Sequence, residues 1–178
     1  MKNFYLITLF MCLSNLQAWA TGSSEKAVYD LIERVTPGYA SQYRLEIISS
    51  ENGNDIYEVD GDGQKIILRG NNAVSLATAF NWYLKYTCHA HVSWFGNQLE
   101  LPAKLPQPVH KERRIINGKY RVYMNYCTVS YTAAWWNWER WQQELDYMAM
   151  NAINMPLFSV GLDGVWYNLS LIHISEPT

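Results

Sequence analysis

Three clusters in the chain combine residue types that could do chemistry. Cys88-His89-Ala90-His91 sets a thiol and two imidazoles within four residues, the ligand types of a zinc site. No second cluster supplies the other ligands zinc needs, so a buried cysteine followed by two ordinary histidines at a helix end accounts for it better, and no metal is expected. Asp60-Gly61-Asp62-Gly63 has the look of an opening calcium loop, yet the chain runs straight into Ile66-Ile67-Leu68 without the bidentate glutamate, which favours a hairpin turn. Trp135, Trp136, Trp138 and Trp141 offer flat aromatic faces of the kind that stack on sugar rings. Spacing places Trp138 and Trp141, with Leu145 and Met148, on the apolar stripe of one helix and leaves Trp135 or Trp136 as candidates for lining a pocket. Glu139, Glu144 and Asp146 then fall on that helix's solvated face.

The elements that would carry these residues follow from periodicity. Ala27, Val28, Leu31, Ile32 and Val35 recur at helical spacing, with Ser24 as N-cap and Pro37-Gly38 as stop. Tyr43 to Ile48, Asp55 to Val59 and Lys65 to Leu68 read as three short strands of a meander, separated by the turn signals Glu51-Asn52-Gly53-Asn54 and Asp60-Gly61-Asp62-Gly63. Gly70-Asn71-Asn72 opens a helix from Ala73 to Tyr86 with Leu76, Phe80, Tyr83 and Leu84 on one face. Pro102, Pro106 and Pro108 make an extended connector, and a domain boundary is expected near residue 110. Beyond it, Tyr120 to Cys127 reads as a strand with Tyr123, Asn125 and Cys127 on one face. A helix from about Asn137 to Met150 and a buried strand from Ile153 to Phe158 follow, which makes a parallel β/α unit with a right-handed crossover.

Composition bounds the function classes. The chain has 178 residues, 17% of them charged and 15% aromatic, with a formal net charge of −2. This excludes disorder, collagen and coiled coil, and gives no electrostatic ground for binding nucleic acid or an anionic membrane. Lys2, the apolar run Phe4 to Leu13 and the small residues of Ala18-Trp19-Ala20 predict a secretory signal peptide over residues 1–20. Ten apolar residues are too few to span a bilayer that needs ~20, so no stable membrane anchor is expected. After cleavage two cysteines remain, Cys88 and Cys127, which could form one bridge in an oxidising compartment but cannot scaffold a fold.

Tyr123-Met124-Asn125-Tyr126-Cys127-Thr128, Trp135-Trp136-Asn137-Trp138 and Trp141-Gln142-Gln143-Glu144-Leu145-Asp146-Tyr147-Met148-Ala149 together closely resemble the α-N-acetylglucosaminidases of glycoside hydrolase family 89. The helix over 73–86 and Cys88 to Trp94 are similar to that family's N-terminal domain, so the resemblance covers roughly residues 24–168. It implies an α/β fold class: a small N-terminal α/β domain of helix, three-stranded meander and helix over 21–110, then the first two strands of a truncated (β/α)8 barrel over 111–168. Such barrels do their chemistry at the C-terminal ends of their strands. There the resemblance assigns Asn125 and Cys127 to substrate binding, an amide for sugar hydroxyls and a small thiol beside an N-acetyl group. Tyr123 lies one layer deeper, in the core.

The implied activity is an exported, retaining exo-α-N-acetylglucosaminidase, secreted or periplasmic, or lysosomal in a eukaryote. It would remove terminal α-linked N-acetylglucosamine from glycans such as heparan sulfate or mucin without a cofactor. No catalytic residue is assigned, because the family takes both its glutamates from later barrel strands. After the second strand the family usually has Gly-Gln-Glu-Ala, whereas this chain has Gly161-Leu162-Asp163-Gly164, which removes an amide and shortens the carboxylate by one methylene. Residues 169–178 depart abruptly from the family and resemble the translation of a sequencing-library adapter. A non-catalytic carbohydrate-binding or interaction domain is the alternative; it fits the aromatic content but not the β/α unit that opens at Tyr120.

Overall fold

The computed structural model describes residues 24–157. The expected signal peptide, the strand end at Phe158, the Gly161 to Trp166 loop and the tail after Asn168 lie outside the described residues. Helix α1, residues 24–35, buries Val28, Leu31 and Ile32. Thr36 closes it, donating both its backbone N–H (2.7 Å) and its hydroxyl (3.0 Å) to the Ile32 carbonyl.

Strands β1 (Tyr43–Ile47), β2 (Asp55–Gly61), β3 (Ile66–Gly70) and β4 (Glu112–Ile116) form one sheet in the order β1-β3-β2-β4. The Asp60 to Gly63 turn is a hairpin between antiparallel β2 and β3, in which Asp62 Oδ1 accepts from the backbone of Gln64 (2.9 Å) and Lys65 (2.7 Å). The expected meander is corrected at β1, which skips β2 and pairs parallel with β3, setting Leu45 beside Leu68 and Glu46 beside Arg69. Ile66, Ile67 and Leu68 are all buried, so β3 needs a neighbour on each side. The Glu51 to Asn54 turn, with Asn52 and Gly53 at positive φ, closes on itself within the connector and does not fold β1 onto β2.

Strand β4 lies just past the boundary expected near residue 110 and pairs antiparallel with β2. Its Glu112-Arg113-Arg114 run has the composition of a connector, and a charged edge strand with a wet face tolerates that run. On the wet face, ion pairs link Arg44 and Arg69 to Glu46, Arg69 to Asp60, and Lys111 and Arg113 to Glu58. The opposite face is covered by α1 and by α2 (Ala73–Tyr86), which Asn72 caps by accepting from Ser75 N–H (2.9 Å). Tyr43 sits at the centre, edge-on to Phe80 (5.5 Å) and Tyr83 (5.7 Å). The proline connector is pinned against this core, where Tyr39 and Tyr83 hydroxyls donate to the carbonyls of Leu101 (3.0 Å) and Pro106 (2.8 Å).

The second unit consists of β5 (Val122–Tyr123), the short helix α3 (Tyr126–Ser130), α4 (Trp138–Met150) and β6 (Met155–Pro156). β5 and β6 pair in parallel, as a strand-helix-strand unit requires, with the N–H of Leu157 donating to the Tyr123 carbonyl (2.9 Å). Polar contacts dock this unit on the first. Arg34 of α1 makes a bidentate pair with Asp146 of α4 (2.8 and 2.7 Å), Arg121 pairs with Asp55 (2.6 Å), and Asn81 donates to the Met150 carbonyl (2.8 Å). No helix among the described residues is long and apolar enough to cross a membrane.

Candidate functional site

The predicted site lies where β5 gives way to α3, and the local geometry differs from a continuous strand. β5 ends at Tyr123, Met124 takes a left-handed conformation (φ 68°), and Asn125 becomes the N-cap of α3. Asn125 Oδ1 accepts from the Thr128 N–H (3.0 Å) while the Asn125 N–H donates to the Thr128 hydroxyl (3.4 Å), a closed capping box. Cys127 therefore sits in the first turn of a helix, and the expected strand face shared by Tyr123, Asn125 and Cys127 does not form. The physical reason is a competition that asparagine wins for the cap. Its side chain satisfies an otherwise orphaned amide, whereas in a strand it has no such advantage. Asn125 and Cys127 nevertheless remain together at the C-terminal end of β5, and both are exposed.

Behind this mouth, α4 turns a different face inward from the one periodicity predicts. Trp141 and Met148 are buried as expected, but Trp138 is 64% exposed, and Leu145 also lies at the surface. Glu144 and Asp146, expected on the solvated face, are instead 0% and 7% exposed. Each carboxylate is buried because a cation meets it. Asp146 takes Arg34 across the unit boundary, and Glu144 accepts from Arg140 (2.9 Å) and from the indole N–H of Trp94 (3.1 Å). The Arg140 guanidinium also lies 4.0 Å from the Trp136 ring centroid and 5.3 Å from that of Trp94. Trp136 packs edge-on to Trp141 (4.9 Å), so it is tied to the helix; Trp135 is 95% exposed. Tyr123 is half-buried beside Tyr147 (6.5 Å), and its phenol is pushed up to about 12 by burial and by the neighbouring Glu144 charge.

Sequence reasoning missed Trp94, Arg140 and Glu144 as a group. A usable signal was present: Glu144 lies three residues after Trp141, four after Arg140 and four before Met148, so a carboxylate stands on the apolar stripe with an arginine in reach. Around Arg34, Trp94, Phe95, Asn97, Arg140 and Gln143 the surface forms an open cleft of about 580 Å³, on the flank of α4. Cys88 and Cys127 are both free thiols; burial pushes the Cys88 thiol up against an opposing hydrogen bond with Tyr83. No group of three His, Cys, Asp or Glu side chains suited to a metal occurs among the described residues. The end of β5 thus presents an exposed amide and an exposed thiol two residues apart at the start of α3. The two buried carboxylates of α4, Asp146 and Glu144, are engaged by Arg34 and by Arg140 and Trp94.

Comparison with known proteins agrees with both units. The model of the alpha-N-acetylglucosaminidase N-terminal domain matches residues 26–107, and that of the alpha-N-acetylglucosaminidase tim-barrel domain matches residues 121–173. Human alpha-N-acetylglucosaminidase is 35% identical over 150 residues, which is 82% of this chain and 20% of that protein. A family 89 glycoside hydrolase from Clostridium perfringens, solved in complex with 2-acetamido-1,2-dideoxynojirmycin, superposes with a TM-score of 0.81 at 32% identity, over 84% of this chain and 17% of that one. A double Glu→Gln variant from the same organism, in complex with its substrate GlcNAc-alpha-1,4-galactose, gives a TM-score of 0.76 at 32% identity over 79% and 16%. The chain spans about a fifth of the length of the curated relative it matches. With both units matched in order, and with the same fold in solved members, the chain belongs to the α-N-acetylglucosaminidases of glycoside hydrolase family 89.

Proposed function

We propose that this chain is the N-terminal part of an exported enzyme that hydrolyses terminal α-linked N-acetylglucosamine from glycans such as heparan sulfate or mucin, with retention of configuration. The observation that carries the proposal is the start of a tim-barrel with Asn125 and Cys127 together at the strand end, in a chain whose solved relative is complexed with GlcNAc-alpha-1,4-galactose. In this account Asn125 offers its amide N–H groups to sugar hydroxyls while its Oδ1 holds the cap, and Cys127 leaves space for the acetamido group. Later strands supply two carboxyl groups about 5–5.5 Å apart, one as acid/base and one as nucleophile. The first domain runs through β4 to residue 116 and the barrel begins at β5. Residues 1–20 direct export to the outside, the periplasm or, in a eukaryote, the lysosome.

The test is kinetic. In the full-length gene product, Asn125→Ala should lower kcat/KM for 4-nitrophenyl α-N-acetylglucosaminide by about 10-fold, since one lost hydrogen bond to sugar is worth about 1.4 kcal/mol. Unchanged kinetics in a folded variant would return Asn125 to a capping role alone. Glycan binding without hydrolysis by that same full-length protein would favour a non-catalytic module instead.

A further inference from the structure

The cleft on the flank of α4 gathers side chains that the proposed function does not use. One wall is the loop over residues 91–98, which its own hydrogen bonds tie into a fixed shape. His91 and Gln98 exchange backbone hydrogen bonds (2.9 Å each), the Ser93 hydroxyl donates to the Gly96 carbonyl (2.5 Å), and the Ser93 N–H donates to Asn97 Oδ1 (3.2 Å). Trp94 is held on this loop by its indole N–H on Glu144 and by the Trp136 ring at 5.9 Å, yet it stays 42% exposed. Beside it Phe95 is fully exposed. A lone exposed phenylalanine is ordinary. One next to a second exposed ring, on an ordered loop that lines a cleft of about 580 Å³, forms a platform on which a ligand can lie.

The facing wall is α4. Gln142 and Gln143 line the cleft, and neither side chain has a hydrogen-bond partner among the described residues, although Gln142 is half-buried. The Asn97 amide nitrogen and the Glu139 carboxylate are likewise unengaged among the described residues. Flat rings beside unengaged amides suit a sugar, whose faces carry C–H groups and whose rim carries hydroxyls that both donate and accept. Charge then selects the kind of sugar. Both arginines of the cleft are engaged, Arg34 by Asp146 and Arg140 by Glu144, which leaves Glu139 as its unpaired charge. A sulfated or carboxylated chain would find no free cation there and would meet a like charge at Glu139.

We propose that this cleft, built between the 91–98 loop of the N-terminal domain and α4 of the second unit, is a binding site for an uncharged glycan chain. Phe95 and Trp94 supply the stacking faces, and Gln142, Gln143 and Asn97 supply the hydrogen bonds. The site goes beyond the assignment of Asn125 and Cys127 and does not depend on it.

The experiment titrates the full-length gene product with a poly-N-acetyllactosamine hexasaccharide, which is uncharged and ends in galactose, so that it offers no terminal α-linked N-acetylglucosamine. Calorimetry reads the affinity, hydrogen exchange over residues 93–97 locates the ligand, and a heparin hexasaccharide is the charged comparator. The neutral chain should bind saturably and slow exchange at the Trp94 and Phe95 amides about 3-fold or more. Phe95→Ala and Phe95→Leu should each weaken binding about 10-fold, Phe95→Tyr should keep it within about 2-fold, and Gln142→Ala should weaken it about 5-fold. The heparin chain should leave the exchange over 93–97 unchanged. Absence of saturable binding, wild-type affinity in Phe95→Ala, or equal protection by the heparin chain would overturn the proposal. So would Trp94 and Phe95 amides that are already protected in the free protein, which would mean that its own later residues fill the cleft. A wild-type protein that binds the neutral chain but hydrolyses no aryl α-N-acetylglucosaminide would refute the assigned function and leave this site standing.

Discussion

The Arg34–Asp146 pair joins residues 112 positions apart and is the most direct polar link between α1 and α4, so its energetics can be worked from its two halves. The Asp146 side chain is 9% exposed and that of Arg34 is 36% exposed. Deleting Asp146 leaves a guanidinium that water already reaches, and the loss is close to that of two charge-assisted hydrogen bonds net of rehydration, about 2 kcal/mol. Deleting Arg34 leaves a buried carboxylate without its cation, which is the costlier orphan, at about 3 kcal/mol. Arg34→Ala should therefore destabilise more than Asp146→Ala, although arginine is the more exposed partner. The double variant should cost less than the two singles added together, with a coupling of about 1–2 kcal/mol. Urea denaturation at pH 7, with hydrogen exchange in the α1 and α4 peptides followed in parallel, measures all three. A coupling under about 0.5 kcal/mol, or the reverse order of the singles, would show that the pair is a surface contact and not an interface anchor.

Three further outcomes follow from the first domain. Gly70→Ala places a Cβ 2.7 Å from the Leu76 nitrogen and 2.9 Å from the Ser75 carbonyl carbon, both backbone atoms, so thermal unfolding should show a loss of about 2 kcal/mol or more, and an unchanged melt would contradict this packing of α2 on β3. Phe80→Ala removes a fully buried ring that meets Tyr43 edge-on and should cost about 3–5 kcal/mol in the same assay. Acid should weaken the domain through Asp55, Glu58 and Asp60: burial by itself would raise these carboxyls, but hydrogen bonds from Asn71, Arg121, Lys111, Arg113 and Arg69 outweigh it and hold all three below the ordinary range. Their contribution is in place above about pH 4 and is lost as the pH falls through the lowered folded values; stability that stays flat from pH 5 to pH 2 would refute it.

Local signals were legible wherever one physical preference dominated. Asn71-Asn72 before an apolar helical period predicts α2 to the residue, because an asparagine cap and a buried stripe agree. The Asp60 to Gly63 hairpin was legible for the same reason. β1 was not, since a strand's neighbour is chosen by which partner most needs covering, and Ile66 to Leu68 outcompete β2 across the sheet. β4 was hidden by charge, as its residues answer to Glu58 and Glu51, which are distant in sequence. At the candidate site the backbone was not legible: a cap and a strand compete there, and the Asn125-x-x-Thr128 box decides for the cap. Glu144 was misplaced because a helical period registers that a position faces inward but not that an indole and a guanidinium await it.

The most direct test of the whole account is the configuration of the sugar released by the full-length gene product from an aryl α-N-acetylglucosaminide, followed by proton NMR in the first minutes before mutarotation. The account predicts that α-N-acetylglucosamine appears first and drifts later towards the anomeric equilibrium, as a two-carboxylate retaining mechanism requires. Release of the β-anomer first, or no hydrolysis by folded protein, would contradict it.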